Sequence, residues 1–196
     1  SHTHVMGLGR NQELVNLTDV KTEEEAVDLV VERAKTTPKG EWIMGRGWDE
    51  GAWANRYPTM ALLSEKVPDH PVVMNSLHGF AAWGNRLAFD EAGITRETQA
   101  PVGGEIARDA NGNPTGLLMN RATGMLTGAV PDPTAEQRQR WVKVGLEIMA
   151  ESGYVAVHDA GVGTELLEAM QALESADELP IRVYAMLSAR DEPLME

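Results

Sequence analysis

Cysteine is absent from the 196 residues of this chain, which excludes disulfides, thiolate metal ligands and a cysteine nucleophile, while saying little about redox compartment. Any metal must therefore be held by His, Asp, Glu or a modified side chain. Basic residues are scarce: 17 Lys and Arg stand against 30 Asp and Glu, for a formal net charge of −13. Nucleic acid and anionic membrane surfaces would be repelled by that charge, no basic stripe offsets it, and neither is expected as a partner. No apolar run approaches the ~20 residues of a membrane-spanning helix, and no signal-peptide pattern opens the chain. A cytoplasmic protein is expected. Internal repeats and low-complexity tracts are also missing, and the 42% of hydrophobic residues suffices for one or two folded domains.

What is present begins at the first residues. Ser1-His2-Thr3-His4 places two imidazoles two positions apart, and on a β-strand such side chains share a face. A strand can hold half of a metal site in this way, and imidazole suits Zn²⁺ and neighbouring divalent ions. The Gly7-Leu8-Gly9 that follows would let the chain leave the strand through conformations closed to other residues. A cleaved affinity tag also leaves Ser-His behind, so the pair alone does not decide the matter.

Further along, Thr22-Glu23-Glu24-Glu25 is a capping box opening a helix whose apolar stripe is Ala26, Val27, Val30, Val31 and Ala34, ending at Pro38-Lys39-Gly40. A second long helix starts at Thr134-Ala135-Glu136-Gln137, turns Trp141, Val144, Ile148 and Met149 inward, and stops at Gly153. Tyr154-Val155-Ala156-Val157 then reads as a parallel strand buried on both faces, delivering His158-Asp159 at its C-terminal end. A helix from Thr164 to about Leu173 and a strand from Ile181 to Leu187 complete a βαβ unit. Between the two long helices the pattern changes. Trp42 to Trp48 and Pro71 to Asn75 read as strands, Phe80 to Ala92 as a helix closing at Gly93, and Glu105 to Leu118 as a hairpin turning at Asn111-Gly112. This is an α+β lobe inserted into an α/β frame.

Five ordered motifs carry a resemblance. Ser1-His2-Thr3-His4-Val5 with Gly7-Leu8-Gly9, then Gly40 to Asp49, Ala81-Ala82-Trp83-Gly84-Asn85, Asn113-Pro114-Thr115-Gly116 and Val157-His158-Asp159-Ala160-Gly161 together resemble family three of the amidohydrolase superfamily, the group that includes N-substituted formamide deformylases. The resemblance implies an α/β fold, a metal-dependent (β/α)₈ TIM barrel of which only the first strands are present, interrupted by the α+β domain. Residues 1–40 would form the first barrel strand and helix, 41–128 the lobe, and 129–196 barrel strands two and three. It implies a divalent metal, zinc first with iron or manganese as alternatives, and hydrolysis of an amide-like C–N bond of a small-molecule substrate by metal-activated water. Carried over by position, His2 and His4 match the metal ligands. His158, at the active-site end of a barrel strand, is the candidate catalytic residue, with a core histidine as the competing reading. Asp159 is the candidate outer carboxylate behind the ligands, or else a turn cap. Trp48, Asp49, Trp53 and His78 are candidate substrate-binding residues of the lobe, with lobe core and loop cap as the alternative for the first three.

The chain departs from the family where many members have Asp-Gly-His before the Ala-Ala-Trp: here it has His78-Gly79-Phe80. No catalytic acid is assigned to Met119-Asn120-Arg121, which replaces a basic-acidic-Asn run. A whole barrel needs ~250 residues, so the remaining ligands are expected beyond Glu196, with Arg190 to Glu196 reading as a helix start. A fragment of this kind would be inactive alone and, with open sheet edges, prone to associate as a homo-oligomer. Two other functions stay open: a non-catalytic binding or scaffolding protein built on the same barrel, and a hydrolase of an ester, lactone or phosphoester.

Overall fold

A computed structural model describes residues 2–53 and 57–191, so Ser1 and the Glu192–Glu196 part of the expected helix start lie outside the described residues. The chain divides into two compact units, residues 1–13 with 132–196, and residues 14–131. Among the described residues no helix is long and apolar enough to cross a membrane.

The first unit opens with a two-residue strand β1 (His2–Thr3) and a short helix α1 (Val5–Asn11). Gly7 and Gly9 are both helical here, so the Gly-Leu-Gly does not serve as a left-handed exit from the strand. Gly9 has a packing reason instead: a Cβ on it would stand 1.9 Å from the Trp141 carbonyl oxygen. Gly7 faces open space.

The chain then builds the second unit: β2 (Val15–Asn16), α2 (Glu23–Ala34), β3 (Ile43–Trp48), α3 (Met60–Lys66), β4 (Val72–Ser76), β5 (Ala81–Gly84), α4 (Arg86–Glu91), β6 (Gly104–Arg108), β7 (Pro114–Asn120) and α5 (Thr123–Thr127). The strands form one six-stranded sheet in the order β2-β3-β4-β5-β7-β6. The β2, β3 and β4 strands are parallel, while β4–β5, β5–β7 and β7–β6 are antiparallel. Alternation divides the core between the two sheet faces: Val72, Met74, Trp83 and Leu117 pack with α2 and Leu63, and Val73, Ala82 and Leu118 pack with Phe89 and Leu126. Helix α2, capped as the sequence predicts by Thr22 Oγ1 accepting from the Glu25 amide at 3.1 Å, belongs to this unit and buries Ala26, Val27 and Val30 with Ile43 and Trp48.

The helix expected over Phe80 to Ala92 is a strand followed by a shorter helix. Every residue of β5 is buried, as befits a central strand covered on both faces, and Asn85 starts α4 as its N-cap. Asn85 is fully buried and uses its whole amide: Oδ1 accepts from the Val72 and Ala88 amides at 3.0 and 3.1 Å, and Nδ2 donates to the Val67 and His70 carbonyls at 2.9 and 2.8 Å. In β3 the ladder slips between Arg46 and Trp48, where Gly47 takes φ +107° and a Cβ would meet the Thr18 amide nitrogen at 2.9 Å. That bulge aims the Trp48 ring into the core.

Back in the first unit, α6 (Ala135–Glu151) starts with the expected capping box, the Gln137 amide donating to Thr134 Oγ1 at 3.2 Å and the Thr134 amide to Gln137 Oε1 at 2.8 Å. Its buried stripe is Trp141, Val142, Gly145 and Leu146, rotated from the stripe expected at Val144, Ile148 and Met149. The rotation brings Gly145 against α1, where a Cβ would stand 2.0 Å from the Val5 carbonyl oxygen. Then come β8 (Ala156–Val162), α7 (Thr164–Ser175) and β9 (Arg182–Leu187), giving a parallel three-stranded sheet in the order β1-β8-β9. The βαβ unit is present, yet its first strand is not buried on both faces. Val157 and Val162 pack with Val5, Leu146 and Met170, while Tyr154 and Val155 are 44% and 70% exposed. Among the described residues helices cover only one face of this sheet, so the β-branched run alternates instead of being enclosed.

Two substitutions separate packing from propensity. Gly9→Ala should destabilise the chain by about 2–3 kcal/mol, because backbone must move to admit the methyl. Gly7→Ala, in open space on the same helix, should stabilise by about 0.5–1 kcal/mol. Urea denaturation followed by circular dichroism reads both, and equal effects would contradict the close α1–α6 crossing.

Candidate metal centre

The first unit gathers His2, His4, His158 and Asp159. Parallel pairing of β1 with β8 sets His2 opposite His158 and Thr3 opposite Asp159. His2 and His158 are exposed, whereas Asp159, one residue on and pointing the other way, is only 1% exposed. His4 lies just past the strand, at the N-cap position of α1 with φ −135° and ψ 80°, and its side chain is 69% exposed. The two imidazoles still meet: the His2 and His4 ring centroids are 5.1 Å apart, edge to face.

Asp159 stands behind this pair. Its Oδ2 accepts from the Val5 amide at 3.2 Å, at the first turn of α1. Its Oδ1 is buried without a hydrogen-bond partner, 3.9 Å from His4 Nδ1. Burial pushes the Asp159 carboxyl above the usual carboxylate range, against the opposing pull of the Val5 amide and the His4 imidazole. Next to His158, on β9, stands Tyr184, with ring centroids 5.2 Å apart. Tyr184 is 66% exposed and in register with His158, so His2, His158 and Tyr184 make a row across three neighbouring strands on the uncovered face. The sequence shows the β9 strand but not its register, so nothing local in it singles out Tyr184.

The donor set suits a borderline divalent cation: two exposed imidazoles side by side, with a buried carboxylate oxygen that lacks a donor at their back. Among the described residues no group of three or more His, Asp or Glu side chains is arranged to hold a metal ion. A groove of about 670 Å³ between α7 and β9, lined by Leu167, Met170, Leu179, Ile181, Val183 and Ala185, lies on the helix side of β9, since Val183 and Ala185 alternate with Tyr184.

The four lobe residues lie in the second unit. Trp48 is fully buried and its Nε1 donates to the Met74 carbonyl at 2.9 Å; Trp53 is 5% exposed and its Nε1 donates to the Val20 carbonyl at 3.0 Å. Their rings are 5.8 Å apart, and Trp53 meets Trp83 edge-on at 6.1 Å. These tryptophans form an aromatic core whose polar atoms are satisfied by main chain. Asp49 Oδ1 accepts from the Gly51 amide at 2.8 Å and closes a turn. His78 is exposed on the turn between β4 and β5. The structure brings Trp48 and Trp53 together as core and leaves His78 apart from them.

Comparison with known proteins places this architecture. A sequence model described as the amidohydrolase family matches residues 1–194. YtcJ of Bacillus subtilis (strain 168) is 36% identical over 132 residues, 67% of this chain and 25% of its own length. The N-substituted formamide deformylase of Arthrobacter pascens is 31% identical over 153 residues, 77% of this chain and 28% of its own. A crystal structure of an uncharacterized metal-dependent hydrolase from Pyrococcus furiosus superposes with a TM-score of 0.71 at 28% identity, over 95% of this chain and 36% of that one. The chain thus spans about a quarter of the length of these two relatives and about a third of the solved structure.

The burial of the tryptophans generates a prediction. Trp48→Ala should cost about 3–5 kcal/mol of stability, whereas His78→Ala on its exposed turn should stay within about 0.5 kcal/mol of the parent chain. Denaturation midpoints read both, and a mild Trp48→Ala would mean that its ring is not core.

Proposed function

This chain belongs to the amidohydrolase family, and on that premise we propose that it carries the opening part of a metal-dependent hydrolase acting on an amide-like C–N bond of a small molecule. The first unit corresponds in this reading to the first strands of a (β/α)₈ barrel, with β1, β8 and β9 as strands one to three, and the second unit to an inserted α+β domain. The observation that carries it is the imidazole pair: His2 and His4, 5.1 Å apart, with His158 in register beside His2 on an uncovered sheet face. Active-site residues of barrels gather at the strand ends that open toward the loops, and His4 directly follows the last residue of β1, Thr3.

His2 and His4 would hold a divalent cation, zinc first and iron or manganese as alternatives. Such an ion, when bound, polarises a carbonyl and makes hydroxide available from water near neutral pH. The chain's own residues supply the rest. His2 and His4 would offer ring nitrogens from the end of β1 and from the N-cap of α1. His158, next to His2, is placed to touch the substrate and exchange a proton with it, and Tyr184 flanks His158 with a phenol that can donate to a substrate oxygen. The partner expected is a small-molecule substrate, consistent with an acidic chain of net charge −13 that repels polyanions.

Metal content tests this reading. The chain purified without chelator and titrated with zinc should bind through His2 and His4, and His2→Ala and His4→Ala should each weaken uptake by at least about tenfold, the lower end of what even outer-shell losses cost. Unchanged uptake in both variants would remove the metal assignment. With only two imidazoles in place, the 196-residue chain is expected to show no metal-dependent turnover on amide, ester or phosphoester substrates; turnover of any of them would identify the bond cleaved and show that the site is already sufficient.

A further inference from the structure

We infer that Asp159 is a positioning residue: its buried carboxylate sets the orientation and tautomer of the His4 imidazole. The metal-binding consequence of this rests on the proposed function above, but the tautomer itself does not. Asp159 brackets His4 along the chain. It is the ladder partner of Thr3, the residue before, and accepts from the Val5 amide at 3.2 Å, the residue after. The side chain of His4 therefore leaves the backbone between the two points at which Asp159 is fixed.

One carboxylate oxygen is committed and the other is not. Oδ2 is held by Val5, while Oδ1 is buried without a partner and stands 3.9 Å from His4 Nδ1. A buried acceptor left unpaired is costly, more so when charged. Native structures rarely retain such a group. The gap exceeds a normal N–H···O distance by roughly 1 Å, and the His4 side chain, edge to face with the His2 ring, is 69% exposed and has room to turn. A small rotation about its side-chain bonds turns Nδ1–H onto Oδ1. Neutral imidazole carries one donor and one acceptor nitrogen. With the proton committed to Nδ1, the Nε2 lone pair is left free on the other side of the ring from Nδ1. This is the arrangement in which a histidine ligand is oriented by a carboxylate behind it.

The competing role is purely structural, with Asp159 doing no more than capping the first turn of α1. Asp159→Asn separates the two. The amide oxygen can still accept from Val5, but the group facing His4 becomes an NH₂, which donates to Nδ1 and so favours the opposite tautomer. The experiment is a long-range proton–nitrogen correlation spectrum of the ¹⁵N-labelled chain at pH 8.5, roughly two units above the ordinary histidine value, without and then with Zn²⁺. The expected result is His4 protonated at Nδ1 in the parent chain and at Nε2 in Asp159→Asn, with exposed His78 the same in both. His4 protonated at Nε2 in the parent overturns the inference, as does the same His4 tautomer in both proteins. The parent spectrum decides by itself if the variant does not fold. Zinc separates the two layers of the argument. An Nδ1–H tautomer with no zinc response at His2 or His4 keeps the role of Asp159 and rejects the metal reading, and a zinc response from an Nε2–H His4 does the reverse. If both hold, Asp159→Asn should weaken zinc binding by about 10–100-fold.

Discussion

The first unit depends on a contact with almost no side chain in it. Gly9 of α1 and Gly145 of α6 let the two helices cross backbone on backbone: a methyl on either would fall within about 2 Å of a carbonyl oxygen of the other helix. Helices ordinarily pack at 8–10 Å between axes, with side chains interdigitated. Here the interdigitation is removed at the crossing, which gains close contact and allows no sliding. Because α1 begins at Val5, fixing α1 fixes the point at which the chain leaves β1, and that point is His4. The place of His4 is thus anchored by two glycines rather than by bulk.

Periodicity made some of this legible and hid the rest. The N-cap at Thr22, the capping box at Thr134 and the βαβ run from β8 to β9 are local signals, and they survive folding because a cap needs only residues within one turn; at Thr22 the reciprocal half of the expected box is absent, since the Glu25 carboxylate accepts from the Lys21 amide instead. The Phe80 to Ala92 segment misleads because Ala81-Ala82-Trp83 is as acceptable to a helix as to a central strand. Its partners Leu117, Leu118 and Met119 on β7 are far away in sequence, and strand pairing of that kind is a non-local decision. The stripe of α6 misleads for a related reason: glycine carries no hydropathy, so a face whose centre is Gly145 is invisible to a search for apolar side chains.

For the site, a spacing of two predicts that His2 and His4 come together on one strand face; their rings do meet, although His4 has already left the strand for the N-cap of α1. The roles of Trp48, Trp53 and Asp49 are not readable, since an indole that lines a pocket and one that fills a core have the same letter. Their hydrogen bonds decide it: each buried Trp Nε1 is already paired with a carbonyl, Trp48 with Met74 and Trp53 with Val20. Asn85 makes the same point from the other side. Within a motif that resembles a functional fingerprint, its amide makes four main-chain hydrogen bonds that join the Val67–Val72 segment to the start of α4. A polar residue that is so fully used in structure has no donor or acceptor left for chemistry.

His158 and Asp159 show how adjacency on a strand divides labour. Successive side chains leave opposite faces, so the dipeptide presents an imidazole to the uncovered face, in line with His2 and Tyr184, and a carboxylate to the helix side, against the Val5 amide. The two faces offer different physics. On the open side a titratable ring keeps access to solvent and solute, as proton exchange requires. On the closed side a carboxylate is desolvated, and its demand for donors becomes strong enough to hold a neighbouring main chain in place. Reversing the dipeptide would bury the imidazole and expose the acid, removing both the ring from the open face and the anchor from α1. The order His-Asp in this strand therefore follows from the position of α1, and the position of α1 follows from Gly9 and Gly145.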